Sequence, residues 1–339
     1  MKVSVIVPCR NEAAHIDAFA ASVLAQRLPP GLALQVVIAD GQSDDGTRER
    51  LAALAAADAR LQWIDNPQRI TSAALNRAIA AAAGELIVRM DVHTVYADDY
   101  VACCVRALQD SGATCVGGPW RPVGEGGRQR VIAAAFGSGF GSGGAASRRL
   151  DFTGEVDTVY LGAWRREDLL RLGGFDEALV RNQDDELALR IVRGGGRVWQ
   201  DARIRSSYAP RASYAALFRQ FWQYGYWKVA VIRKHRLPAA PRQLAPFALV
   251  ATLAMLAVAT FAWRPAGLAL GALIAIYGVA SLAAAAKAMS PVREPAAWLG
   301  VAWSFGCMHF GYGLGFARGL WDTLLRRGAA GDHATRLTR

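Results

Sequence analysis

Val3-Ser4-Val5-Ile6-Val7-Pro8-Cys9-Arg10-Asn11-Glu12 is an apolar run that breaks abruptly into a polar loop. A short run of this kind, rich in β-branched residues, is the pattern of a strand buried on both faces of a parallel sheet. Working outward, Ala13–Gln26 reads as a helix, Leu34–Ala39 as a second strand, Arg48–Ala57 as a second helix and Leu61–Ile64 as a short third strand. Ser72–Ala83 is a third helix closed by Gly84, and Glu85–Met90 a fourth strand. This β-α-β-α alternation predicts the α/β class, with a doubly wound, mostly parallel sheet. Ligands of such sheets lie beyond the carboxyl ends of the strands, where Asn11, Asp40 and Asp91 all fall.

Three stretches carry candidate chemistry. Asp40-Gly41-Gln42-Ser43-Asp44-Asp45-Gly46-Thr47 reads either as a tight turn or as a nucleotide contact. In the second reading Asp40 accepts hydrogen bonds from base or ribose, and the Gly and Ser residues let backbone approach closely. Asp91-Val92-His93 places a carboxylate and an imidazole on one side of an extended strand end, a pair able to hold Mn²⁺ or Mg²⁺ against a diphosphate. Asn182-Gln183-Asp184-Asp185-Glu186-Leu187 packs three acids at the start of a helix. The macrodipole favours that as a cap, while mutual repulsion raises their pKa values and suits a base. Neither G-x-G-x-x-G after the first strand nor G-x-x-x-x-G-K-[ST] occurs, which argues against a dinucleotide fold and a P-loop.

The 53% hydrophobic content, positive mean hydropathy and net charge of +11 are unevenly spread. Leu244–Trp263, Pro265–Ala286 and Ala296–Ala317 carry no charge, and each is long enough to cross roughly 30 Å of hydrocarbon. Between Arg203 and Arg242 stand nine Lys or Arg residues and no acid, interleaved with Trp222, Tyr224, Tyr226 and Trp227. Next to an apolar tail, that run faces anionic headgroups better than nucleic acid and marks the cytoplasmic side. The expected organisation is a cytoplasmic domain over 1–230, a basic linker over 231–243, a membrane region over 244–325 and a polar basic tail over 326–339. Three full spans would export Arg326 and Arg327 against the charge rule, so the third segment, with His309, is expected to be interfacial or re-entrant. Gly267-x-x-x-Gly271 and Gly311-x-x-x-Gly315 allow close helix contact. Met1-Lys2 runs straight into a strand, so no signal peptide is expected. Five cysteines without C-x-x-C spacing indicate neither a disulfide framework nor a zinc site.

In order and spacing, residues 1–230 resemble a family 2 glycosyltransferase of the GT-A fold. The resemblance rests on Val5-Ile6-Val7-Pro8 with Asn11-Glu12, the Asp40–Thr47 segment, Asn76 with Gly84, the Asp91 element, Gly173-Gly174-Phe175-Asp176-Glu177 and the acidic stretch. With the hydrophobic tail, the chain is most similar to the ExoA-like branch, glucosyltransferases acting on lipid-linked sugars. The resemblance implies that Pro8, Arg10 and Glu12 frame the nucleotide pocket together with Asn11, Asp40, Gly41, Ser43, Asp45 and Asp91. It makes Asp91 the first acid of the family's D-x-D, with His93 in the third position as a metal ligand. The family's E-D motif falls on Gln183-Asp184, so Asp184 takes the base position and Asp185 lies on the acceptor side. The processive members' Q-x-x-R-W falls on Gln223-Tyr224-Gly225-Tyr226-Trp227. Gln223, Tyr226 and Trp227 are then an acceptor-side wall, with Tyr226 in place of Arg, which speaks against a long-polymer synthase.

The expected activity is an inverting hexosyl transfer, glucose from UDP-glucose, to a polyprenyl-diphosphate-linked saccharide in exopolysaccharide biosynthesis. It would take place at the cytoplasmic face of a bacterial-type inner membrane, with Mn²⁺ or Mg²⁺ as cofactor. Expected partners are the nucleotide sugar, the lipid-linked acceptor and the membrane, not nucleic acid; an oligomer stays open. Rival readings are a polyprenyl-phosphate glycosyl synthase and a non-catalytic scaffold of a polysaccharide assembly complex. The Gly- and Ser-rich Gly124–Arg149 reads as a linker or as an acceptor-side loop. In the second reading Phe136 and Phe140 contact lipid or sugar and Arg148 and Arg149 a pyrophosphate. His15 and His235 are expected in solvent.

Overall fold

The computed structural model describes residues 1–290 and 294–325. The first half alternates as β1 (Lys2–Cys9), α1 (Ile16–Leu24), β2 (Ala33–Asp40), α2 (Thr47–Ala57), β3 (Leu61–Asp65), α3 (Thr71–Ala81) and β4 (Leu86–Arg89). It continues with β5 (Thr94–Tyr96), α4 (Tyr100–Ser111), β6 (Cys115–Gly118) and β7 (Trp120–Pro122). Next come α5 (Gly127–Gly137), α6 (Gly139–Ser142), β8 (Gly154–Glu155), β9 (Tyr160–Arg165), α7 (Arg166–Arg171), α8 (Gln183–Arg193), β10 (Val198–Gln200) and β11 (Ser206–Tyr208). Then follow α9 (Tyr214–His235), α10 (Ala245–Ala259), α11 (Arg264–Ala288) and α12 (Pro295–Leu325), the last helix among the described residues.

Two compact units result, Met1–Arg121 with Arg149–Tyr208, and Pro122–Arg148 with Ala209 onward. These limits do not coincide with the expected 1–230 and 244–325, because 122–148 and 209–230 group with the C-terminal helices. The polar tail from 326, including Arg326 and Arg327, lies outside the described residues.

In the first unit the large sheet has the order β3-β2-β1-β4-β9-β6-β10-β8. Its first four strands are parallel, as the alternation predicts, with Val5 opposite both Val36 and Val88. Beyond them the sheet is mixed: β9 runs antiparallel to β4 and to β6, and β10 lies parallel to β6. A small sheet of order β5-β11-β7 stands apart. Successive residues of a strand point to opposite faces, and β1 serves two cores accordingly. Val3, Val5 and Val7 join Ile16, Phe19, Leu51 and Tyr100 on one side, while Ile6 joins Leu75, Ile79, Trp164 and Leu187 on the other. Helices therefore cover both faces, as continuous apolar strands require.

In the second unit α12 packs on α9 through glycines. A Cβ on Gly315 would lie 2.0 Å from the Trp222 carbonyl oxygen, and one on Gly311 2.7 Å from that of Phe218. Gly311-x-x-x-Gly315 thus brings two helices together as expected, whereas Gly271 faces open space. The third hydrophobic segment, expected to be interfacial or re-entrant, is one unbroken helix from Pro295 to Leu325. Pro241–Ala259 and Arg264–Ala288 are long and apolar enough to cross a membrane.

Gly124–Arg149 is neither a linker nor an open loop. Phe136 is buried against Phe221, and Phe140 packs on Phe305 and His309, whose Nε2 meets the Phe140 carbonyl at 3.1 Å. Phe136 is thereby corrected to a core residue, while Phe140 is half-buried among aromatic rings of the C-terminal helices. His15 is exposed as expected, but His235 is buried.

Candidate functional site

The site is built where β1, β2 and β4 end. After β1 the chain turns sharply at Asn11, which has φ 53°. Asn11 N–H donates to Ser43 Oγ at 2.7 Å, its Nδ2 donates to Asp44 Oδ1 at 2.9 Å, and Asp44 N–H returns a bond to Asn11 Oδ1 at 3.1 Å. Glu12 N–H donates to Thr47 Oγ1 and Ala13 N–H to Asp45 Oδ2. The two polar loops are thereby one stitched surface, on which a Cβ at Gly41 would press on the Arg10 side chain at 3.2 Å. Pro8, opposite Ala39 in the parallel ladder, carries β1 into it.

Asp40 departs from expectation. It is fully buried, with Ser43 Oγ donating to Oδ1 at 2.5 Å and Ser43 N–H and Arg48 Nη1 donating to Oδ2 at 3.1 and 3.0 Å. In this position the carboxylate holds its own loop together through Ser43 and Arg48. Arg48 also pairs with Asp65 and lies over the Trp63 ring at 5.0 Å, anchoring β2 to β3.

At the end of β4, Arg89 breaks the apolar series Leu86-Ile87-Val88 and is itself buried. Its Nε and Nη2 donate to Asp91 Oδ1 and Oδ2 at 3.0 and 3.1 Å, and its Nη1 donates to Asp184 Oδ1 at 2.5 Å. Burial pulls the guanidinium pKa down, but the charges of Asp184 and Asp91 outweigh it and the net direction is up. The expected extended geometry of Asp91-Val92-His93 is replaced by a turn, closed by Thr94 N–H donating to the Asp91 carbonyl at 3.2 Å. The Tyr96 hydroxyl fixes that turn, accepting from Asp91 N–H at 2.6 Å and donating to the Asp91 carbonyl at 3.0 Å. A short turn back into β5 brings this about. His93 therefore projects beside Tyr208, its Nδ1 3.7 Å from Glu12 Oε1.

The acidic stretch opens α8 from Asn182, whose φ is 61°. Its three acids do three different things. Glu186 is fully buried and paired with Arg190, Nη2 to Oε2 at 2.5 Å, so it is structural. Asp184 is bound to Arg89 yet keeps 37% of its side-chain surface exposed. Crowding by protein around it raises its pKa most; Arg89 opposes this, Asp91 and Asp185 add to it, and the net direction is up. Asp185 thus acts on Asp184 through charge.

The residues expected to hold a metal supply one carboxylate and one imidazole. Among the described residues no three His, Cys, Asp or Glu side chains converge into a cage. Mg²⁺ and Mn²⁺ are ordinarily held by one or two carboxylates together with substrate phosphates, so a two-donor site completed by a diphosphate fits this donor set. The imidazole inclines it to Mn²⁺.

Gln223, Tyr226 and Trp227 lie in α9, in the second unit, and all three are buried. The Tyr226 ring stacks on Trp222, and its hydroxyl donates to Asp322 Oδ2 at 3.2 Å. They pack helices where a substrate wall was expected, because the glycine face of α12 covers α9. Arg89 and Tyr96 escaped the motif reading. A lone Arg in an otherwise apolar strand was the available signal for the first; nothing local marked the second.

The chain's residues 4–171 match the model of "Glycosyl transferase family 2". The "Succinoglycan biosynthesis protein ExoA" of Rhizobium meliloti (strain 1021) is 35% identical over 329 residues, covering 94% of either chain. Among solved structures, the mannosyltransferase PcManGT of Pyrobaculum calidifontis, in complex with GDP-Man and Mn²⁺, superposes with a TM-score of 0.64. It is 24% identical, over 94% of this chain and 87% of its own. GalNAc-T7 with UDP, GalNAc and Mn²⁺ reaches a TM-score of 0.50 at 15% identity, over 62% of this chain and 43% of its own. The structures share the GT-A-like fold, and the identity to ExoA along almost the whole chain decides the family: the chain is a glycosyltransferase and belongs to family 2, in its ExoA-like branch.

Proposed function

We propose that the protein is an inverting glycosyltransferase of exopolysaccharide biosynthesis, moving glucose from UDP-glucose to a polyprenyl-diphosphate-linked saccharide at the cytoplasmic face of the membrane. The observation that carries the reading is Asp184, half-exposed at the start of α8 and tied through Arg89 to Asp91 at the end of β4. That arrangement supports a reading in which Asp184 acts on the acceptor and Asp91 on the donor diphosphate.

Asp184 takes the proton of the acceptor hydroxyl as that oxygen bonds to the anomeric carbon. The bond from that carbon to the diphosphate breaks on the opposite face, so an α-linked donor yields a β-linkage. A raised pKa makes Asp184 a stronger base once ionised, and a positioned base of this kind contributes about 10²–10⁴-fold. Asp91 and His93 would hold a divalent ion, which would supply neutralisation of the departing diphosphate. The loop pair around Arg10, Asn11, Glu12, Gly41, Ser43 and Asp45 receives the nucleotide. The exposed apolar residues of α10, α11 and the turn between them, among them Val258, Phe261, Leu268 and Ile276, support the membrane location.

The test is transfer from radiolabelled UDP-glucose with Mn²⁺ and membrane lipid extract, the product analysed by mass spectrometry. Asp184→Asn is expected to lose at least about 100-fold in kcat; wild-type transfer by that variant excludes Asp184 as base. EDTA is expected to abolish transfer and Mn²⁺ to restore it, and insensitivity to EDTA removes the metal role of Asp91 and His93. A product carrying one sugar on polyprenyl monophosphate replaces the proposed acceptor.

A further inference from the structure

We propose that Arg89 is a positioning residue that locks the donor-side and acceptor-side carboxylates into one unit, a role that rests on Asp184 being the base. Its place in the strand is the first ground. Leu86, Ile87 and Val88 are buried, and so is Arg89; a residue serving packing alone would be apolar, since a buried charge is costly unless it is bound on all sides. Geometry is the second. The Nε–Nη2 edge of the guanidinium grips both oxygens of Asp91, which leaves Nη1 to reach Asp184, 95 residues further along the chain. A planar fork can serve two carboxylates at fixed angles; an ammonium cannot.

The third ground is rigidity. The turn that carries Asp91 is closed by the Tyr96 hydroxyl through both the N–H and the carbonyl of Asp91. Arg89 therefore hangs from a fixed carboxylate and transmits that position to α8. With Asp184 Oδ1 bound to Arg89, Oδ2 is the atom left to receive the hydroxyl proton, and the exposure of this side chain agrees with that. Charge adds a consequence: one cation between two carboxylates leaves the unit with a net charge of −1, receptive to a cation on the donor side.

The experiment measures steady-state kinetics of Arg89→Lys, Arg89→Met, Asp184→Asn and the double variants, with thermal melts on each purified protein. The donor is whichever of UDP-glucose, UDP-galactose and GDP-mannose the wild-type protein turns over. An inactive UDP-glucose beside an active alternative refutes the donor reading and leaves the Arg89 comparison intact. Arg89→Met is expected to lower kcat by about 100-fold with donor KM within about threefold, because positioning acts on the transition state and not on ground-state binding. Arg89→Lys is expected to restore part of the loss, and either Arg89 change made on Asp184→Asn to cost less than about threefold more, since the two residues act as a unit. Calorimetric affinity of Arg89→Lys for UDP with Mn²⁺ is expected to match wild type. The proposal is overturned if Arg89→Lys keeps kcat within threefold of wild type, if the loss lies in KM or in UDP affinity, or if it multiplies fully with that of Asp184→Asn. Should Arg89→Met not fold, Arg89→Lys and its double with Asp184→Asn decide.

Discussion

Asp185 raises the pKa of Asp184 through its charge, and the sign of that effect can be read in a pH profile. A base works only when ionised, so kcat falls on the acid side as pH drops through its pKa. The wild-type acid limb should lie above the usual carboxylate range. Asp185→Asn removes one of the groups holding it there, so its acid limb should move to lower pH; a limb that stays or rises separates Asp185 from the base. Glu186, one residue on, predicts something different. It is fully buried against Arg190, and breaking such a pair leaves a buried charge uncompensated. Glu186→Gln should cost about 3 kcal/mol in urea unfolding while the folded fraction keeps its specific activity. The acid triplet was legible as the start of a helix, and the resemblance singled out Asp184 as the candidate base. The division of labour was not, because it depends on where Arg89 and Arg190 stand, one on another element and one a turn along α8.

Among the elements, the parallel half of the sheet could be read directly, since each strand is a buried apolar run and each crossover a helix. Strand β9 could not. It enters between β4 and β6 antiparallel to both, from a distant part of the chain, and no local periodicity encodes so remote a pairing. Asp40 shows the same limit: its loop was found, but its burial depends on Arg48, which reaches back from α2. Asn76 shows what spacing can still reveal. Its Nδ2 donates to the Phe175 carbonyl at 2.8 Å and to Glu177 Oε1 at 2.9 Å, and its Oδ1 accepts from Phe175 N–H at 2.8 Å. Gly174, at φ 69°, passes so close that a Cβ there would lie 2.5 Å from Asn76 Oδ1. Asn76→Ala strands both backbone groups of Phe175 and should cost about 2 kcal/mol. Because this loop leads into α8, kcat should fall as well, though less than for Asp184→Asn. Unchanged urea stability would show that the loop holds without Asn76.

At the scale of the whole molecule, the apolar tail and its basic approach were the plainest signal in the composition, and the structure turns them into a testable surface. No residue of α10 is buried, and α11 buries only Ala266, Ser281 and Ala285. Ile274 and Ile276, near the middle of α11, are 56% and 66% exposed. Apolar side chains this open to water are unfavourable unless lipid covers them. Placing arginine at a helix centre in hydrocarbon costs about 3 kcal/mol per residue, so Ile274→Arg with Ile276→Arg should oppose insertion by about 6 kcal/mol. The wild-type protein should stay in the membrane pellet through an alkaline carbonate wash, and the double variant should be released or fail to accumulate there. Release of the wild type by the same wash would make α11 a peripheral or soluble helix. The variant also separates two causes of lost activity. With a lipid-linked acceptor its transfer should fall with its membrane fraction, while UDP binding should persist, since the proposed nucleotide-binding residues belong to the α/β unit that the substitutions leave unchanged.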